Sequence, residues 1–155
     1  MNAKKRKRKI PRKPGDVVKI GLGHRKFAFG RVLKSTIAFY DLRTSTEIAV
    51  EEIIAKPILF NIWVMDHAIT NGDWPIVGNA PLDKELMVEP LFFKKDEISK
   101  ALTLYRDSTG EEVPATRKDC EGLECAAVWE PEHVVERLND HFGGRSNYWV
   151  ESMRP

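Results

Sequence analysis

Pro14-Gly15-Asp16-Val17-Val18-Lys19-Ile20-Gly21-Leu22-Gly23, then Phe27-Ala28-Phe29-Gly30-Arg31-Val32-Leu33, then Thr36-Ile37-Ala38-Phe39-Tyr40-Asp41, is the stretch that decides the fold. Short runs rich in β-branched and aromatic residues, closely spaced and punctuated by glycine, read as an antiparallel meander of three strands. Gly21–Gly23 supplies the first hairpin turn. It is not a phosphate loop, because a third glycine, a following Lys-Ser/Thr pair and a strand-to-helix context are all missing. Gly30, inside the second strand, is expected to mark a bulge or sharp bend, the device by which small barrels turn corners. An SH3-like partial barrel is therefore expected at the start of the fold.

Further along, Glu47–Ile54 fits helix and strand equally poorly, whereas Ile58–Val64 reads as a buried strand. His67–Thr70 is expected to make a helical turn closing at Asn71-Gly72. Trp74-Pro75-Ile76-Val77-Gly78 is short and broken by proline, so it belongs at a sheet edge or in a packed loop. Ala80–Pro90 reads as a loop containing a brief turn. Leu91–Phe93 should pack inward, and Leu102–Tyr105 should turn at Ser108-Thr109-Gly110 toward Glu111–Ala115. The clearest helix runs from Pro131 to Phe142. Proline suits its first position, and Val134, Val135, Leu138 and Phe142 form one apolar stripe ended by Gly143-Gly144. Asn147–Glu151 reads as a final strand. The expected class is α+β: a largely antiparallel sheet, an N-terminal SH3-like partial barrel and one main C-terminal helix. Residues 1–14 are expected to be a disordered basic tail, and residues 15–155 a single domain.

The net charge of +2 hides a strong asymmetry. Residues 1–14 hold eight bases and no acid, residues 15–106 balance at zero, and residues 107–140 hold ten acids against three bases. A uniformly basic nucleic-acid binder is disfavoured by that distribution. The basic tail could still touch phosphates, anionic lipid or an acidic partner, but it has no interleaved aromatics and no apolar anchor. No apolar run is long enough to span a membrane and no secretory signal is visible, so a cytoplasmic location without membrane insertion is expected. Cys120 and Cys125, the two cysteines, are then read as reduced.

Candidate chemistry is sparse. Cys120, Cys125, His133 and His141 have spacings outside the usual zinc patterns, so neither a metal nor any other cofactor is expected. The acids around Cys120 would raise its pKa, which argues against a nucleophile. Asp66 and His67 are adjacent and should not act as a general-base pair. Of Trp63, Trp74, Trp129 and Trp149, the second and third sit beside proline and charged residues and are expected to be half exposed. The acidic run is either solvated surface or a docking face for a basic protein.

Five segments in order resemble one family, the bacterial polymorphic-toxin immunity proteins of the immunity protein 26 type. They are Lys13–Ile20; Phe27–Leu33, similar to a "YAYGRVL" strand; Ile37–Asp41; Gly72–Asn79, similar to "GrWPvIGN"; and Phe92–Asp96, similar to "FFkqD". The turn at Gly21-Leu22-Gly23-His24 departs from the family pattern. The resemblance implies a cytoplasmic antitoxin that binds a cognate toxin domain, such as a basic nuclease, and has no catalytic residues of its own. It also implies structural roles for Gly15, Asp16, Gly30, Arg31, Trp74, Pro75, Gly78, Asn79, Phe92 and Phe93. Toxin contact is expected instead at the acidic residues Asp107, Glu111, Glu112, Asp119, Glu121 and Glu124, with Trp129 as an aromatic anchor. The alternative is an SH3-like module that binds nucleic acid through its basic tail.

Overall fold

A computed structural model describes residues 9–155. In chain order the elements are β1 (Asp16–Gly23), β2 (Lys26–Val32), β3 (Ile37–Tyr40), α1 (Val50–Ile54), β4 (Ile58–Val64), α2 (His67–Thr70), β5 (Ile76–Asn79) and α3 (Lys84–Met87). They continue as β6 (Phe92–Lys95), β7 (Leu102–Arg106), β8 (Glu111–Ala115), α4 (Arg117–Cys120), β9 (Glu124–Cys125), β10 (Val128–Trp129), α5 (Pro131–Phe142) and α6 (Tyr148–Ser152). The class is α+β, with mostly antiparallel sheets and a C-terminal helix, as the sequence indicates. The strands divide into a six-stranded sheet ordered β10-β4-β3-β2-β1-β5 and a four-stranded sheet ordered β8-β7-β6-β9. That pairing order holds the expected meander, flanked by strands from later in the chain. The SH3-like curvature goes beyond what the order establishes.

Period-two alternation sorts the meander's side chains. Val18, Ile20, Leu22, Ala28, Ile37 and Phe39 share one buried cluster with Phe60, Ile62 and Val64, and α5 covers it with Val134 and Leu138. Val17, Phe29 and Tyr40 pack with Ile53 of α1 in a second cluster. The first sheet is therefore buried on both faces. Each fully buried Val or Leu contributes about 1.5–3 kcal/mol relative to exposure.

Three expectations need correction. Gly30 is not a bulge: β1 pairs with β2 without interruption from Val17↔Arg31 to Gly21↔Phe27, and the register shifts at Gly21/Gly23. Gly30 is small because a Cβ there would meet Ile37 Cγ2 at 3.0 Å and Val18 Cγ2 at 3.3 Å. Asn147–Glu151 is not a strand: the Asn147 side chain accepts a hydrogen bond from the Val150 N–H at 3.0 Å and caps α6. Trp74 and Trp129 are buried, not half exposed, and the partly exposed tryptophans are Trp63 and Trp149. Ile10 and Arg12, within the segment expected to be tail, contact the folded body. The Ile10 N–H bonds Thr70 O at 3.0 Å, and Arg12 pairs with Asp66. Residues 1–8 of the expected disordered tail lie outside the described residues.

Gly15, Asp16, Arg31 and Asn79, four of the family-like residues, meet at one place. Arg31 is 1% exposed. Its Nε donates to Gly15 O at 3.0 Å, one terminal nitrogen to the Tyr40 hydroxyl at 3.1 Å, and the other to Ala80 O and Pro81 O at 2.6 and 2.8 Å. Asp16 is also buried. It accepts from the Lys13 N–H and from Asn79 Nδ2, both at 2.8 Å, and so pins the edge strand β5 to β1. Gly15 has φ +93°, and a Cβ there would lie 2.5 Å from Ala80 O. A Cβ on Gly78 would lie 2.5 Å from Val50 Cγ2. Beyond β5, Pro75 O continues the ladder by accepting from the Lys19 N–H at 3.0 Å, and Trp74 meets Phe39 edge-on.

Replacing Arg31 with Met leaves three carbonyls and a phenol hydroxyl without their donor. The expected loss is about 3 kcal/mol or more in urea unfolding, and Arg31→Lys should recover only part of it. A loss below about 1 kcal/mol would show that water substitutes for the guanidinium. Gly78→Ala should cost about 1–3 kcal/mol by overpacking against Val50.

Candidate functional site

The second sheet carries most of the chemistry left exposed. Its central rung runs Glu112, Tyr105, Phe92, Glu124 across four strands. Phe92 and Phe93 are both buried. Trp63, on β4 of the first sheet, stacks on Phe92 with ring centroids 4.2 Å apart and meets Tyr105 edge-on at 6.1 Å. The segment from Glu124 to Trp129 joins the sheets, because β9 pairs with β6 and β10 pairs with β4, both in parallel. These two short parallel strands had no sequence signal of their own: each is only two residues long.

Charge on this face is ordered by hydrogen bonds. Lys94 Nζ lies 2.7 Å from Glu112 Oε1 and 3.8 Å from the centre of the Tyr105 ring. Glu112 raises the lysine pKa. The Tyr105 hydroxyl donates to Asp107 Oδ1 at 3.1 Å, which raises the phenol pKa. Glu89 accepts from the Ser108 N–H at 2.5 Å, and hydrogen bonding from Ser108 holds its carboxyl low.

The six acidic residues expected to contact a partner do not share one role. Asp107, Glu111 and Glu112 lie on the β7–β8 hairpin. Asp119 closes a capping box with Thr116 at the start of α4, and those bonds lower its carboxyl pKa. Glu124 is part-buried and pairs through both oxygens with Arg137 of α5. The Arg137 guanidinium lies 3.7 Å from the Phe60 ring centre and 5.1 Å from that of Trp129. Trp129 is 5% exposed under that guanidinium rather than half exposed. Asp107, Glu111 and Glu121 are exposed and form no ion pair among the described residues.

Two grooves border the hairpin tip. A cleft of about 360 Å³ between the sheets is lined by Trp63, Lys94, Tyr105, Asp107, Ala126 and Val128. A groove of about 420 Å³ lies between the β2–β3 turn and the 86–90 segment, and Asp107 lines it too. Sequence reasoning missed Met87, Val88 and Val128, which are 68, 70 and 59% exposed. Their signal was only an apolar residue in a loop or beside a break.

The four residues weighed as zinc ligands have separate settings. Cys120 is buried, Cys125 half buried, His133 stacked on Trp149, and His141 3.1 Å from Asp41. A different trio, His67, Glu130 and Glu132, holds its potential ligand atoms within 4.8 Å of one another, but all three residues are exposed. Asp66 is taken by Arg12, leaving His67 without that carboxylate.

Residues 13–102 match the family model for immunity protein 26. The match covers more than half of the chain, which therefore belongs to the immunity protein 26 family. It spans the strands β1 to β6 and reaches the first residue of β7. No curated protein and no solved structure gives a significant match.

Two chemical outcomes follow. Burial, followed by the adjacent acids Asp119 and Glu124, pushes both cysteine thiols up. Alkylation at neutral pH should therefore be slower than for a free thiol, Cys120 the slower of the two, and both should react after unfolding. Asp96, Asp119 and Glu89 have lowered carboxyl pKa values. Their stabilisation is present above the ordinary carboxylate range and is lost as pH falls through the lowered values. Carboxyl titration followed by NMR should place all three below the ordinary value of their residue type.

Proposed function

We propose that this chain is an antitoxin that binds a cognate toxin domain, a basic nuclease delivered by contact between bacteria, and blocks it in the cytoplasm without chemistry of its own. Membership of an immunity protein family supports a toxin as the partner. The observation that carries the electrostatic part is the exposed set Asp107, Glu111 and Glu121, whose charge no ion pair within the described structure neutralises. Such carboxylates attract a basic surface, speed encounter and reject acidic partners. Glu112, Asp119 and Glu124, also named as contacts from sequence, are committed to Lys94, Thr116 and Arg137, and contribute to the shape of the surface. No helix among the described residues is long and apolar enough to cross a membrane.

The test is reversal of the three exposed acids together, Asp107→Lys, Glu111→Lys and Glu121→Lys. Toxin association should slow, the affinity should drop, and the dependence on ionic strength should flatten. Protection of cells expressing the toxin should fall in parallel. Unchanged affinity and protection would remove the acidic surface from the mechanism.

A further inference from the structure

Asp107 occupies a particular place: it lines the cleft between the sheets on one side of the hairpin tip and the groove over the 86–90 segment on the other. Exposed apolar side chains flank it, Val128 in the cleft and Met87 and Val88 in the groove. Among the nearby cations Lys94 is bonded to Glu112 and lies over Tyr105, whereas Arg106, opposite Glu111 in the ladder, and Lys34, in the groove, form no ion pair among the described residues. Tyr105 orients the Asp107 carboxylate, and Glu89 ties the next residue, Ser108, to the groove wall.

We propose that the toxin docks astride the β7–β8 hairpin tip, placing a lysine or arginine on Asp107 and apolar side chains in the grooves on either side. This rests on the antitoxin reading and narrows it to one surface. A carboxylate between apolar walls loses water on docking, and its attraction for a cation grows as the local dielectric falls. Trp63 and Tyr105 supply the aromatic wall typical of interface hot spots, and the unbranched Met87 adapts to the contour it meets. Because Tyr105 and Ser108 already hold this region in place, little ordering is left to oppose binding. Glu121 lines neither groove, and Glu111 lines only a smaller one of about 110 Å³.

The experiment uses the full chain and, as probe, the catalytically inactivated nuclease domain of its cognate toxin. Calorimetry should show Asp107→Lys and Val88→Asp each weakening binding by about a hundredfold. Glu51→Lys, on the exposed side of α1, should stay within about threefold of the parent. Hydrogen exchange on the parent complex should show protection at 86–90, 105–110 and 126–128, a readout independent of how any variant folds. Full affinity in both the Asp107 and Val88 variants, or protection confined to other segments, overturns the proposed surface while leaving the antitoxin reading standing. A parent chain that does not bind the probe overturns both.

Discussion

The buried guanidinium of Arg31 is the constraint on which the rest of the first sheet depends. Placing a cation where 1% of it is exposed is costly unless every direction offers an acceptor. Here the acceptors are neutral: three carbonyl oxygens and a phenol. They come from the start of β1, from β3 and from the chain just past β5, so the guanidinium is satisfied only when all three are in place. Gly15 makes this possible. Its left-handed backbone leaves its carbonyl within reach of both Arg31 Nε and the Ala80 N–H, and the missing side chain lets Ala80 approach. Asp16 and Asn79 then lock the neighbouring rung.

What could be read from the sequence follows the range of the interaction. Alternation is local, so Val18, Ile20, Ile37 and Phe39 could be assigned to a buried face, and the cap and stripe of α5 could be placed at Pro131 and Val134. Arg31 reaches Pro81, fifty residues away, and no spacing rule reports that. Asn147–Glu151 alternates like a strand, but an asparagine three residues before a free N–H is also a helix cap, and the cap prevails. Trp129 reads as half exposed because Glu130 and Pro131 follow it, but Arg137, eight residues on, covers it.

The acidic third shows the same limit in electrostatic form. Counting charge along the chain finds the excess of acid but not what each carboxylate faces. Glu124 turned out to be a joint between β9 and α5, Asp119 a cap, and Glu112 the partner of Lys94. Only the acids without such partners remain available to another molecule. They are fewer than the count implies, and their surroundings differ. Exposed apolar side chains flank Asp107 on two sides.

The Arg31 cluster and the proposed docking surface are physically linked. Arg31 holds Ala80 and Pro81, and the chain leaving that hold forms α3 and delivers Met87 and Val88 to the groove wall. The far wall, Leu33 to Thr36, leaves β2 directly after Arg31 itself. Both sides of the groove therefore start from one buried guanidinium, while the side chains that face out of it do not touch that guanidinium. Substitutions at Met87 or Val88 can alter what the groove accepts without disturbing what sets its width. On the proposed antitoxin reading, the residues that hold the fold and those that would face the partner are different residues on the same segment.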